Sequence, residues 1–228
     1  MTNLMVLAPI AILGMALQAT FITVEHKKKY VAADVFKGLA ALMFVIIGFF
    51  GYVAVSHDSM GLKLLIGLAF GMIGDIVMNL RFIFEKNGQK VFLLGILAFL
   101  IGHVLYLLAL IPIAVHLIPC IIIGAVAAAA LLTYIFMTMD VKPAFKIFGI
   151  FYLGAIIIMT VISIDIAIAT GAGHDVMYAI GAVLFTASDI VLIFNTFSGV
   201  TRFSMRITNL SLYYVGQLLI AGSLFLAR

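Results

Sequence analysis

Charged residues are scarce in this 228-residue chain, acidic ones above all: nine Asp and Glu, with 10% of all positions charged and 66% hydrophobic. Soluble domains are about half apolar and about a quarter charged. A chain this poor in charge cannot present a solvated surface, so it reads as an integral membrane protein. Cysteine occurs once, as Cys120, which excludes an internal disulfide and any cysteine-cluster metal site. Also missing are G-x-S-x-G, H-E-x-x-H and a phosphate loop, so no nucleophile elbow, zincin helix or nucleotide cradle is present. No dense basic patch exists either. The Lys27–Lys29 run is too short to argue nucleic-acid binding and suits topology or anionic headgroups.

What remains is a series of apolar runs of roughly 20 residues, the length that a ~30 Å hydrocarbon core demands of helices. Barrel strands would alternate over about ten residues instead. Eight spans are expected, at 4–24, 38–55, 62–80, 91–111, 117–138, 145–168, 176–196 and 207–226. The fold class is therefore all-α, a polytopic bundle of eight transmembrane helices forming one domain over 1–228. Pro112 and Pro119 are the only punctuation between the fourth and fifth spans. The first run lacks a basic n-region and an A-x-A site, so it reads as a retained helix rather than a signal peptide.

Eleven of the thirteen Lys and Arg residues fall in the loops after spans one, three, five and seven, with Lys37 counted in the first of these. Only Lys63 and Arg228 lie on the other side. The positive-inside rule then puts the basic loops in the cytoplasm and both termini outside.

Two phrases stand out in this background. "GMIGDIVMNL" carries Asp75 within the third span, and "TASDIVLIFN" carries Asp189 within the seventh. Asp75 lies fourteen residues after Gly61 and Asp189 fourteen after Asp175. At 1.5 Å per residue both sit about 21 Å from the outer face. An aspartate near a helix centre costs about 2.5–3.5 kcal/mol on insertion scales, and such residues face a cavity or a partner. Two at one depth on parallel helices imply a shared cavity.

Helical spacing groups their neighbours. Gly67, Gly71, Gly74, Asp75 and Asn79 form one stripe; Gly181, Phe185, Ser188, Asp189 and Asn195 form a similar one. The fourth span adds His103 and Tyr106, the eighth Tyr213 and Gln217. Asn79, Asn195 and Gln217 would serve equally well as interhelical hydrogen bonds. His57-Asp58 and His174-Asp175 read as solvated turns, and Asp165 as interfacial. Gly67–Asp75 and Gly181–Asp189 share their spacing at an offset of 114, half the chain, as a parallel repeat of four spans would. Chance convergence on a helix-packing phrase explains the match equally well.

Two carboxylates in one low-dielectric site resist ionising together, so one can hold a proton while the other is charged. That suits general acid and general base catalysis, and equally a proton relay in a transporter.

In order, "GLAFGMIGDIVM", "GILAFLIGHVLY", "GAVLFTASDIVL" and "YYVGQLLIAGSL" resemble successive signatures of the lysoplasmalogenase family, the YhhN-like bacterial membrane proteins and their animal relatives. The likeness runs from Lys37 to Leu224. It departs at "FKGLA", where Gly38 replaces a common proline, a change that affects only the helix entry. The resemblance implies hydrolysis of the vinyl ether bond of lysoplasmalogens, with Asp75 and Asp189 as the acid–base pair and His103 orienting or sharing a proton. Tyr106, Tyr213 and Gln217 then line the pocket, and Asn79, Ser188 and Asn195 are expected to bind substrate with them. Lys37 or Arg81 would meet the phosphate. A lysophospholipid substrate and the bilayer are the implied partners, in a bacterial inner membrane, with no cofactor or metal required; monomer and homodimer both stay open. A proton-coupled transporter would need polar residues continuing to the outer face, where Asp165 is the exception in an otherwise apolar half. A lipid-binding protein without catalysis would keep the pocket and tolerate loss of one aspartate.

Overall fold

A computed structural model describes residues 2–55 and 57–226, with side chains from Leu7 onward; Arg228, one of the two cations expected outside, lies beyond them. In lipid a backbone must satisfy its own hydrogen bonds, and these apolar runs do so as helices. They are α1 (Thr2–His26), α2 (Tyr30–Ala54), α3 (Ser59–Leu80), α4 (Gly88–Leu110), α5 (Leu117–Thr138), α6 (Pro143–Thr170), α7 (Gly173–Phe197) and α8 (Phe203–Ser223). Helices α1 to α7 are long and apolar enough to cross a membrane. The eighth expected span, α8, has the length, at 21 residues, but carries Arg206, Asn209, Tyr213 and Gln217. All but Arg206 of these are buried inside the bundle.

Local chemistry sets the ends. Asp58 caps α3 by accepting from the Gly61 N–H at 2.7 Å, and Pro143 opens α6 at its first turn, where a missing N–H costs nothing. Gly171 closes α6 in the left-handed region at φ 61°, which lets α7 start two residues later. The junction between the fourth and fifth spans is a single turn at Ile111–Ile113, built on Pro112. Asp165 of α6 holds it from outside. It accepts from the His116 N–H and pairs with His116 Nδ1, both at 2.9 Å, just before α5 begins.

Each helix packs on its successor in the pairs α1–α2, α3–α4, α5–α6 and α7–α8. Helix α2 also packs on α3 and α8, while α6 packs on α7 and α4. The α3–α4 and α7–α8 pairs thus form the middle, flanked by α2 and α6. Hydrophobicity gives little drive between helices in lipid, so close backbone approach matters more. A Cβ on Gly102 would stand 3.0 Å from the Gly67 carbonyl, and one on Gly216 would stand 2.8 Å from that of Gly181. Both contacts recur at the 114-residue offset that relates Asp75 to Asp189.

Overpacking typically costs about 1–3 kcal/mol. Gly216→Ala is therefore expected to lower the thermal midpoint in detergent. Gly154→Ala, whose new methyl meets nothing within 4 Å, should hold it or raise it, because alanine restricts the unfolded chain.

Candidate functional site

A cavity of about 100 Å³ opens at the end of the bundle that carries the basic loops. Its walls come from the ends of α3 and α7 and the starts of α2, α4, α6 and α8. Six lining pairs share the 114 offset: Asp75 and Asp189, Met78 and Leu192, Asn79 and Ile193, Phe92 and Arg206, Ile96 and Leu210, Phe99 and Tyr213. Both carboxylates face this one space, at 6% and 4% exposure. The equivalent helices place them symmetrically. Their partners differ.

Asp75 stands in an ion pair. Its Oδ1 lies 3.1 Å from Lys37 Nζ and its Oδ2 accepts from the Tyr213 hydroxyl at 2.7 Å. The ammonium is itself walled by rings, 4.6 Å from the centre of Tyr213 and 5.0 Å from that of Phe21. Lys37 is thus no loop cation: it sits inside α2, buried at 4% exposure. Asp189 has neutral neighbours instead. Tyr152 of α6 donates a short hydrogen bond to its Oδ2, and Ser188 Oγ, which donates to the Phe185 carbonyl at 2.8 Å, lies 3.4 Å from Oδ1. Ser188 is held from behind, its carbonyl accepting from Asn209 Nδ2 at 2.9 Å.

His103 is buried but stands one layer away from the cavity. Its Nδ1 lies 2.7 Å from the Phe99 carbonyl, and its ring meets Tyr152 edge-on at 5.4 Å and Phe185 at 4.8 Å. It backs the tyrosine that serves Asp189. At the 114 offset it corresponds to Gln217, also buried. Tyr106 and Gln217 likewise stand behind the wall: Tyr106 Oη donates to Gln217 Oε1 at 3.4 Å, and Gln217 Nε2 to Tyr213 Oη at 3.5 Å. Asn195 ties the α7–α8 loop, accepting from the Arg202 N–H at 2.7 Å, and does not line the cavity. Asn79 does line it, beside Asp34 of α2.

Arg81 is set apart too, stacked on Phe82 at 4.7 Å and on Phe92 at 4.2 Å. The guanidinium that lines the cavity belongs to Arg206, held by Glu25 through two hydrogen bonds of 3.0 and 2.6 Å. Tyr152, Arg206 and Asn209 are among the wall residues that the sequence leaves hidden. One faint signal was available: Tyr152 stands one place beyond the 114-offset equivalent of Lys37. Among the described residues, no three His, Cys, Asp or Glu side chains converge as metal ligands would.

The far end of the bundle is more polar than its sequence suggests. Asp175, expected in a solvated turn, is 8% exposed and takes hydrogen bonds from Thr170 at 2.8 Å and a contact from His174 at 3.2 Å.

The YhhN family model matches residues 32–224, from α2 through the end of α8. The chain belongs to the YhhN family, which includes lysoplasmalogenases. No curated protein and no solved structure matches it. The match spans every residue of the cavity wall of this YhhN-family protein; Glu25, which steadies Arg206, lies just ahead of it.

Removing one partner of a buried ion pair strands the other charge, at about 3–5 kcal/mol. Lys37→Met should therefore destabilise the protein strongly in a detergent or SDS titration. Adding Asp75→Asn should recover much of that loss, giving a coupling far from additive. Additive losses would mean that the two groups are not paired.

Proposed function

We propose that this YhhN-family protein is a lysoplasmalogenase, which hydrolyses the vinyl ether of a lysoplasmalogen to a fatty aldehyde and a glycerophospho-alcohol. The observation that carries the reading is the pair of equivalent carboxylates on one cavity with unlike partners, a cation for Asp75 and hydroxyls for Asp189. Such a division suits one proton donor and one anionic acceptor.

Asp189 begins as the acid. It transfers its proton to the vinyl carbon remote from oxygen, leaving an oxocarbenium ion. A water molecule adds to that cation while Asp75 takes the water's proton, giving a hemiacetal. The anionic carboxylate left on Asp189 stabilises the cation in between. In the collapse, Asp75 returns its proton to the departing glycerol oxygen and the hemiacetal hydroxyl gives its proton to Asp189. Both groups are then back in their starting forms. Lys37 balances the anionic form of Asp75, and Tyr152 orients Asp189 with His103 packed behind it.

The same cavity fits a single-chain amphiphile. Phe92, Ile96, Phe145 and Leu192 give apolar wall for the chain. Arg206 lies seven residues before Tyr213 on α8, about 10 Å nearer the basic end. A glycerol backbone spans much of that gap, which puts a phosphate near the guanidinium and, beside it, Asn79. Basic loops on the cytoplasmic side of a bacterial inner membrane would have the substrate enter from the inner leaflet.

The test is aldehyde release from lysoplasmenyl-ethanolamine and lysoplasmenyl-choline by purified protein. Asp75→Asn and Asp189→Asn should each lower kcat by about 10²–10⁴, the usual range for loss of a general acid or base. Arg206→Gln should mainly raise KM. No aldehyde from monodisperse parent protein on either substrate would refute the assignment.

A further inference from the structure

A second cavity lies at the opposite end of the bundle, walled by α3, α4, α6, α7 and α8. Its room, about 10 Å³, is that of roughly one water molecule. Asp175, His174, Ser163, Ser223 and Tyr178 line it. Tyr178 is 4% exposed, and its hydroxyl has no hydrogen-bond partner among the described residues. A buried hydroxyl left unpaired costs about 1–3 kcal/mol, whereas a polar pocket of this size holds a water that would satisfy it.

This pocket is not isolated from the carboxylates. The Tyr178 ring meets Tyr106 edge-on, at 6.2 Å between centres. From Tyr106 the donors all point one way: Tyr106 Oη to Gln217 Oε1 at 3.4 Å, Gln217 Nε2 to Tyr213 Oη at 3.5 Å, Tyr213 Oη to Asp75 Oδ2 at 2.7 Å. The first two bonds are long; the last is strong. Every member is 5% exposed or less. A polar file therefore runs through the middle of an otherwise apolar bundle and ends on the carboxylate. The groups around that end are Lys37 from α2, Tyr213 and Arg206 from α8, Tyr152 from α6 and Asp189 from α7.

We propose that the far-end cavity holds water and that Tyr178, Tyr106, Gln217 and Tyr213 conduct protons between it and Asp75, giving the carboxylate site access to the aqueous face opposite the basic loops. Tyr213 passes its proton to Asp75 and is refilled from Gln217 Nε2. Gln217 takes a proton at Oε1 from Tyr106, which leaves it as the imidic acid, and a proton shift from Oε1 to Nε2 restores the amide. The Tyr178 and Tyr106 hydroxyls share no hydrogen bond, so a water between them carries the proton from Tyr178 to Tyr106 and the cavity water refills Tyr178; each group then ends with the protons it began with. The inference stands whether the carboxylates hydrolyse a lipid or serve another end, because it concerns only where Asp75 exchanges protons.

The test uses the full-length protein in liposomes loaded with potassium and a trapped pH dye. Valinomycin then sets a negative-inside potential. Proton entry is expected to exceed that of protein-free vesicles, to scale with protein content and to fall to near the protein-free rate in Tyr178→Phe and Tyr106→Phe. Tyr178→Phe is the decisive variant. Its hydroxyl bonds nothing among the described residues, so its loss spares the packing, and a merely structural tyrosine would leave the flux unchanged. Entry no faster than in protein-free vesicles, or equal entry in parent and both variants, would overturn the proposal. Aldehyde release is read separately, so either reading can fail alone.

Discussion

A carboxylate in the hydrocarbon layer must find a partner, and the rest of this structure is arranged around two of them. Left alone, each ion would cost several kcal/mol after all relaxation. Asp75 has its partner in Lys37, which is drawn into α2 rather than left in a loop. Asp189 has hydroxyls from Tyr152 and Ser188. Helices α2 and α6 supply Lys37 and Tyr152 from opposite flanks, so the outer helices are as necessary to the site as α3 and α7.

Close approach of the central helices makes that convergence feasible. Gly67 against Gly102 and Gly181 against Gly216 bring backbones together at mid-bundle, which aims the ends of all four helices at one cavity. Contacts at one offset extend beyond these glycines. Gln217 presses on Gly71, and their offset equivalents His103 and Phe185 meet edge-on. Among positions related by this offset, chemical difference comes from side chains that do not match: a glutamine for a histidine, Tyr213 for Phe99, Arg206 for Phe92. One half gives a charged environment, the other a neutral one.

The same break produces the polar file. Tyr213 and Gln217 sit where the other half has Phe99 and His103, so the route to the far end exists on Asp75's side. The far end holds buried Asp175 and Tyr178 where the first half has Gly61 and Leu64. Buried polar groups of this kind are costly in an apolar setting and persist where they are satisfied or used.

The sequence by itself determined the helical spans, their alternation and the common depth of Asp75 and Asp189, because hydrophobic length and 1.5 Å rise are properties of a single segment. It also marked Tyr213 and Asn79, which lie on the same stripes. Pairing between segments was beyond it. Lys37 read as a loop charge because it stands at the edge of an apolar run, and only the neighbouring helix shows that it faces Asp75. Arg81 and Arg206 look alike as boundary cations; the tertiary structure puts one on a phenylalanine and the other on the cavity. Tyr152 lies in "GIFYLG", indistinguishable from lipid-facing aromatic sequence until α6 turns it toward Asp189. His174-Asp175 reads as a turn, yet packing against α6 buries Asp175. Depth is written along one chain segment, whereas partnership depends on rotation and contact between segments, which only packing decides.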